Sequence, residues 1–171
     1  MSENQRLNAL EVALNNELRE QDFYLRNAER SSNPVGKALF QQLANEELEH
    51  YELLKKLHET WDKDKKWPET VPLKVKETLV TDILDTVSQE IEGRPDQDED
   101  DLAAIRIAVE FEAEGEAFYA KLRDESTDPR EKEFFAMMSK MEHEHYASLK
   151  DTEEFLLNPD AWYANIEERD E

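Results

Sequence analysis

Two stretches of this chain are copies of each other, shifted by 95 residues with no gap. The shift carries Ala13 onto Ala108, Glu17 onto Glu112, Phe23-Tyr24 onto Phe118-Tyr119, Ser31 onto Ser126, Pro34 onto Pro129, Lys37 onto Lys132 and Phe40 onto Phe135. It also carries Glu47 onto Glu142, Glu49-His50-Tyr51 onto Glu144-His145-Tyr146 and Leu54-Lys55 onto Leu149-Lys150. The identities fall on apolar stripes and on a turn. That pattern is a duplicated helical hairpin, not a solenoid, which needs three or more units. Two such hairpins facing each other across a pseudo-twofold axis make an all-α four-helix bundle.

Helical spacing predicts the elements. Helix A runs over about 4–29, with Leu7, Leu10, Leu14, Leu18, Leu25 and Ala28 as its inward stripe and Glu17 in line. Helix B opens at Asn33-Pro34, a capping residue followed by proline at the first helical position. Its stripe is Leu39, Phe40, Leu43, Ala44, Glu47, His50, Leu54 and Leu57. Helix C spans about 99–124 and turns Leu102, Ile105, Val109, Glu112, Tyr119 and Leu122 inward. Helix D opens at Asp128-Pro129 with the same signal, and its stripe is Phe135, Met138, Glu142, His145 and Leu149.

Under this symmetry the end of helix B and the start of helix C lie at opposite ends of the bundle. A helix of about 25 residues is roughly 38 Å long, so a long crossover is required. Residues 61–98 are read as that crossover. Trp61 and Trp67 are its aromatic anchors or serve a dimer face. Leu79, Ile83, Val87 and Ile91 form a short helix ending at Gly93, and Asp96–Asp101 is a solvated acidic run. The bundle is expected over 1–157 and a tail carrying Trp162 and Tyr163 over 158–171.

Several function classes are excluded. The chain has no Cys, so disulfides, thiolate metal sites and thiol catalysis are ruled out. Its formal net charge of −22 repels phosphate backbones, so nucleic acid is not an expected partner. Residues 1–9 contain no apolar core of a signal peptide, and no apolar run reaches membrane-spanning length. A soluble cytoplasmic protein without membrane contact is expected.

The repeated polar residues carry the chemistry. Glu47 and His50, like Glu142 and His145, stand three residues apart and so project from one helix face, one turn apart. Glu17 and Glu112 come from the neighbouring helices. Four ionised carboxylates inside a helical core are costly without compensation. Two divalent cations neutralise them, and oxygen and imidazole donors without thiolate suit iron or manganese, while zinc can enter the same set. Tyr24 and Tyr119 lie seven residues after Glu17 and Glu112, two turns along the same face, and are expected to hydrogen-bond the ligands. His58 and His143 lack this context and are read as exposed. Met137, Met138 and Met141 are read as core filler, and Tyr51 and Tyr146 as packing residues.

The stretch Phe40-x3-Ala44-x2-Glu47-x-Glu49-His50 resembles the second-helix motif of the rubrerythrin family, within the ferritin-like superfamily. Glu17 with Tyr24, and Glu112 with Glu142-x-x-His145, are similar to that family too, and the resemblance covers nearly all of residues 5–155. It implies a ferritin-like bundle holding two iron ions, with Glu17 and Glu112 as terminal ligands, Glu47 and Glu142 as bridges, and His50 and His145 as terminal imidazoles. It also implies an oxidoreductase that reduces hydrogen peroxide, or dioxygen. Two departures stand out. The Cys-ligated rubredoxin domain of many rubrerythrins is missing, so an external donor, a rubredoxin-like protein or a reductase, is implied. The extra carboxylate three residues after the helix C ligand is replaced by Gly115. The mirrored position is Glu20, which either plays an equivalent part or lies at the surface. A ferroxidase that handles iron, and a non-catalytic bundle with a structural metal, remain as alternatives. A homodimer is expected.

Overall fold

The computed structural model describes residues 1–64, 99–161 and 164. Four long helices hold nearly all of them: α1 (Glu3–Arg30), α2 (Pro34–Asp64), α3 (Glu99–Glu125) and α4 (Pro129–Leu157). Among the described residues there is no strand. α1 and α2 pack as one antiparallel hairpin and α3 and α4 as the other, with α1 beside α3 and α2 beside α4. This is a ferritin-like helical bundle. Trp67, the expected crossover helix through Ile91, Trp162 and Tyr163 lie outside the described residues.

Three of the helix starts are set by side-chain caps. Ser2 Oγ accepts from the Gln5 backbone N–H at 3.2 Å while Gln5 Oε1 accepts from the Ser2 N–H at 2.8 Å. This capping box starts α1 at Glu3. Asn33 Oδ1 accepts from Val35 N at 2.9 Å, and Asp128 Oδ1 from Arg130 N at 2.8 Å. Both caps precede the prolines that open α2 and α4, and each satisfies a backbone donor that the first turn leaves without a partner.

The core is two apolar layers with a polar layer between them. One layer contains Tyr24 and Ala28 of α1, Leu39, Phe40 and Leu43 of α2, Ile105 and Ala108 of α3, and Leu149 and Phe155 of α4. The other contains Leu10 and Ala13, Leu54, Leu57 and Trp61, Tyr119 and Leu122, and Phe134, Phe135 and Met138 from the same four helices. Each fully buried large apolar side chain contributes about 1.5–3 kcal/mol. On every helix the repeated acidic and imidazole residues fall between the two layers. Met138 and Met141 are buried and Met137 is partly buried within the second layer.

Four sequence expectations are corrected. Leu18 is exposed, because the buried line of α1 runs through Leu10, Ala13, Glu17, Glu20, Tyr24 and Ala28. Leu18 sits one residue, about 100°, away from Glu17. Trp61 is not in a connector: α2 continues to Asp64, and Trp61 extends the buried line of Leu54 and Leu57. Asp101 is fully buried instead of solvated. His58 is half-buried beside Glu11, while His143 is exposed as expected.

Buried charges tie the hairpins together at both ends. Arg6 of α1 makes a two-pronged bond to Glu131 of α4, at 2.9 and 2.8 Å, and its guanidinium lies 4.2 Å over the Trp61 ring. Asp101 of α3 accepts from Arg30 at 2.7 Å and from Ser31 Oγ at 2.6 Å. The repeat maps Arg6 onto Asp101 and Gly36 onto Glu131. Gly36 leaves the space Asp101 fills, since a β-carbon there would lie 2.2 Å from Asp101 Oδ2. Position 6 of the first hairpin thus carries a cation where its counterpart 101 carries an anion, and the facing position is an acid at one end and glycine at the other.

Candidate metal centre

In the polar layer, α1 contributes Glu17, α2 Glu47 and His50, α3 Glu112, and α4 Glu142 and His145. All six are buried. Their donor atoms form two groups. Glu17, Glu47, His50 and Glu142 each place one atom within 4.8 Å of the others, and so do Glu47, Glu112, Glu142 and His145. Glu47 and Glu142 belong to both groups, so the two share an edge. The imidazoles of His50 and His145 lie nearly parallel, with centroids 5.6 Å apart and planes at 20°.

Both imidazoles turn Nδ1 toward the carboxylates. His50 Nδ1 lies 3.2 Å from Glu47 Oε2, 3.5 Å from Glu17 Oε2 and 3.8 Å from Glu142 Oε1. His145 Nδ1 lies 2.9 Å from Glu47 Oε1 and 3.5 Å from Glu112 Oε2. The tyrosines cross between hairpins. Tyr24 of α1 donates its hydroxyl to Glu112 Oε1 on α3, and Tyr119 of α3 donates to Glu17 Oε1 on α1. Each therefore holds the outer oxygen of a carboxylate whose other oxygen, Oε2, faces the centre. Tyr24 also stacks on Phe40 and Tyr119 on Phe135, each at 6.3 Å.

Without cations, protons take up the charge. Burial, reinforced by Glu47, pushes Glu17 up to about 8. Burial and then Glu112 push Glu142 well above the carboxylate range, and burial with Glu47 does the same to Glu20. Burial also acts on Glu47, but His145 beside it overrides this and holds its carboxyl well below the usual range. Burial would lower the imidazoles. The bonds of Glu17 and Glu47 instead raise His50 to about 10, and Glu112 and Glu47 raise His145 well above its ordinary value. Burial and the facing carboxylates raise both tyrosine hydroxyls, which stay protonated as donors.

The site fits a pair of divalent cations. Glu17 Oε2, Glu47 Oε1, Glu112 Oε2, Glu142 Oε1 and both ring nitrogens of His145 are buried without a hydrogen-bond partner, and all but His145 Nε2 point into the two overlapping groups. Leaving so many buried polar atoms unsatisfied costs about 1–3 kcal/mol each. Hard oxygen and imidazole donors around two adjacent positions are what a first-row dication takes.

Three further residues shape the centre. Glu20 is buried, not at the surface, and is close enough for the charges of Glu47, Glu112 and Glu17 to act on it. Gly115 opens space for Glu142: a β-carbon there would lie 2.3 Å from Glu142 Oε2. Glu46, which the sequence reading passes over, is buried with Oε2 3.2 Å from His145 Nε2. The available signal was its repeat partner Met141, an apolar residue at the same helical position. His143, with Nδ1 3.2 Å from Glu116 Oε2, lies outside the cluster.

Among the described residues no helix is long and apolar enough to cross a membrane. No curated protein matches the chain. A hypothetical protein, Pfu-1136390-001 from Pyrococcus furiosus, has a similar structure, with a TM-score of 0.65 and 26% identity over 88% of this chain and 89% of that one. The family model described as Rubrerythrin matches residues 8–153, which include all six donors, both tyrosines and the glycine beside Glu142. This chain belongs to the rubrerythrin family.

Proposed function

We propose that this chain is a non-haem di-iron oxidoreductase that reduces hydrogen peroxide with electrons from an external donor. Glu17, Glu47, His50 and Glu142 would hold one ion, and Glu47, Glu112, Glu142 and His145 the other, with Glu47 and Glu142 shared. The observation that carries this reading is the pair of overlapping donor groups, buried and rich in unpartnered oxygens. A bound pair of ferrous ions would supply two electrons, which with two protons from solvent balance the conversion of one peroxide into two waters. The chain's own residues keep the site ordered and dry. The apolar layers above and below exclude water, and Tyr24 and Tyr119 restrain Glu112 and Glu17 by bonding their outer oxygens. No thiolate centre exists in these 171 residues, so we place the electron donor outside them.

The test is stopped-flow mixing of anaerobically reduced, iron-loaded protein with hydrogen peroxide. Oxidation within the mixing series, repeated after re-reduction, supports the reading. No spectral change with peroxide removes it. Oxidation by dioxygen alone, in particles large enough by sedimentation to enclose a cavity, would favour iron handling instead.

A further inference from the structure

The two halves of the centre agree in their six paired donors but not at the position that holds Glu46. His145 turns Nδ1 inward and presents Nε2 to Glu46 Oε2 at 3.2 Å. Glu46 is buried on α2, immediately before Glu47. His50 also turns Nδ1 inward. The residue that the 95-residue shift sets in Glu46's place is Met141, which is buried too. A thioether is only a weak acceptor. One half therefore offers a carboxylate at a position where the other half offers sulfur.

We propose that Glu46 is a positioning residue that makes the two ion sites unequal. Its Oε2, 3.2 Å from His145 Nε2, is the group placed to take up the Nε2–H, which selects the tautomer that leaves the Nδ1 lone pair for the ion and fixes the ring's orientation. A carboxylate behind an imidazole also strengthens it as a donor. The site built on Glu112 and His145 consequently binds its divalent ion more tightly than the site built on Glu17 and His50. This inference rests on the two-ion reading given above.

The test is anaerobic titration of the metal-free full chain with cobalt(II), followed by its visible absorption and by calorimetry. Wild type should take up two equivalents in two resolved steps. Glu46→Met copies a side chain already buried at the mirrored position, so it keeps the fold. It should weaken the tighter step by about 10–100-fold, the usual effect of removing such a partner, and leave the other step in place. Glu46→Gln retains an acceptor oxygen and should restore most of the loss. In proton NMR of the cobalt-loaded protein, the shifted imidazole N–H of His145 should exchange slowly with water in wild type and rapidly in Glu46→Met.

Two equal steps in wild type would overturn the proposal. So would unchanged affinities in Glu46→Met, or an equal loss in both steps that Glu46→Gln fails to repair. A wild-type chain that binds no second equivalent would overturn the two-ion reading along with it, and that outcome is distinct from two ions held with equal strength.

Discussion

Gly115 of α3 stands directly against Glu142 of α4, so that any side chain at 115 would meet the carboxylate oxygen Oε2. The consequence for Gly115→Ala has two opposite signs. Helical alanine is favoured over glycine by about 1 kcal/mol, and the obstructed atom is the far end of a movable side chain. The metal-free protein should hold its melting temperature or gain slightly. Glu142 would be displaced, and because it belongs to both donor groups, uptake of both ions should weaken. Circular dichroism melts and elemental analysis of the same preparation read the two effects separately. A variant that binds two ions as wild type does would show that the space beside Gly115 is not needed.

The crossed tyrosines can be removed singly. Tyr119→Phe leaves Glu17 Oε1 without its donor, and Tyr24→Phe does the same to Glu112 Oε1. A buried acceptor left unsatisfied costs about 1–3 kcal/mol. Each variant should lose about that much stability in denaturant titration, and ion affinity should fall about tenfold or more. Because the two hydroxyls serve different ions, each substitution should depress a different binding step.

Metal-free stability should fall as pH rises. Glu17 ionises at about 8 in the folded chain against 4.5 ordinarily, so the folded state keeps a proton that the unfolded chain releases. Its contribution is complete below 4.5 and fades as pH climbs through about 8. His50, raised from 6.5 to about 10, contributes fully below 6.5 and fades through about 10. Melting temperature in chelator should therefore drop between about pH 5 and about pH 9. Glu17→Gln should flatten the lower part of that fall. Cations replace these protons, so the loaded protein should show a shallower dependence, with protons released on binding. A chelated wild type that grows more stable over this range would contradict the assignment.

The buried pair of Arg6 and Glu131 is a structural tie remote from the donors. Arg6→Met removes the guanidinium that binds the fully buried Glu131 carboxylate beside an apolar layer. Breaking one partner of such a pair costs about 3–5 kcal/mol. Adding Glu131→Leu should recover most of that, and ion stoichiometry should stay at the wild-type value in the double variant. Urea midpoints and metal analysis check both halves of the expectation.

Much of this arrangement was legible in the chain because duplication repeats each signal. A single Glu-x-x-His among 43 acidic residues means little. Two of them, each with Glu and Tyr at matched distances upstream, mark the inner faces. Asn33-Pro34 and Asp128-Pro129 mark the helix starts because the cap and the ring constrain the backbone locally. What was missed depends on contacts between hairpins. Asp101 looked like one more solvated acid until Arg30, Ser31 and the space at Gly36 closed around it. Leu18 looked inward because hydrophobicity alone cannot separate residues 17 and 18, and here the acid, not the leucine, is buried. Glu46 was hidden by its own charge, since its partner lies on another helix.

The crossed tyrosines have a further meaning for how such a chain arises. Each hairpin lacks the hydroxyl that completes its own acid and carries the one that completes its neighbour's. One hairpin paired with an identical twin would possess every group required, in the manner of a self-complementary dimer. Joining the twins in a single polypeptide lifts the demand that they stay the same, and beside the donors the pairs Glu20/Gly115 and Glu46/Met141 are two places where the descendants have gone separate ways.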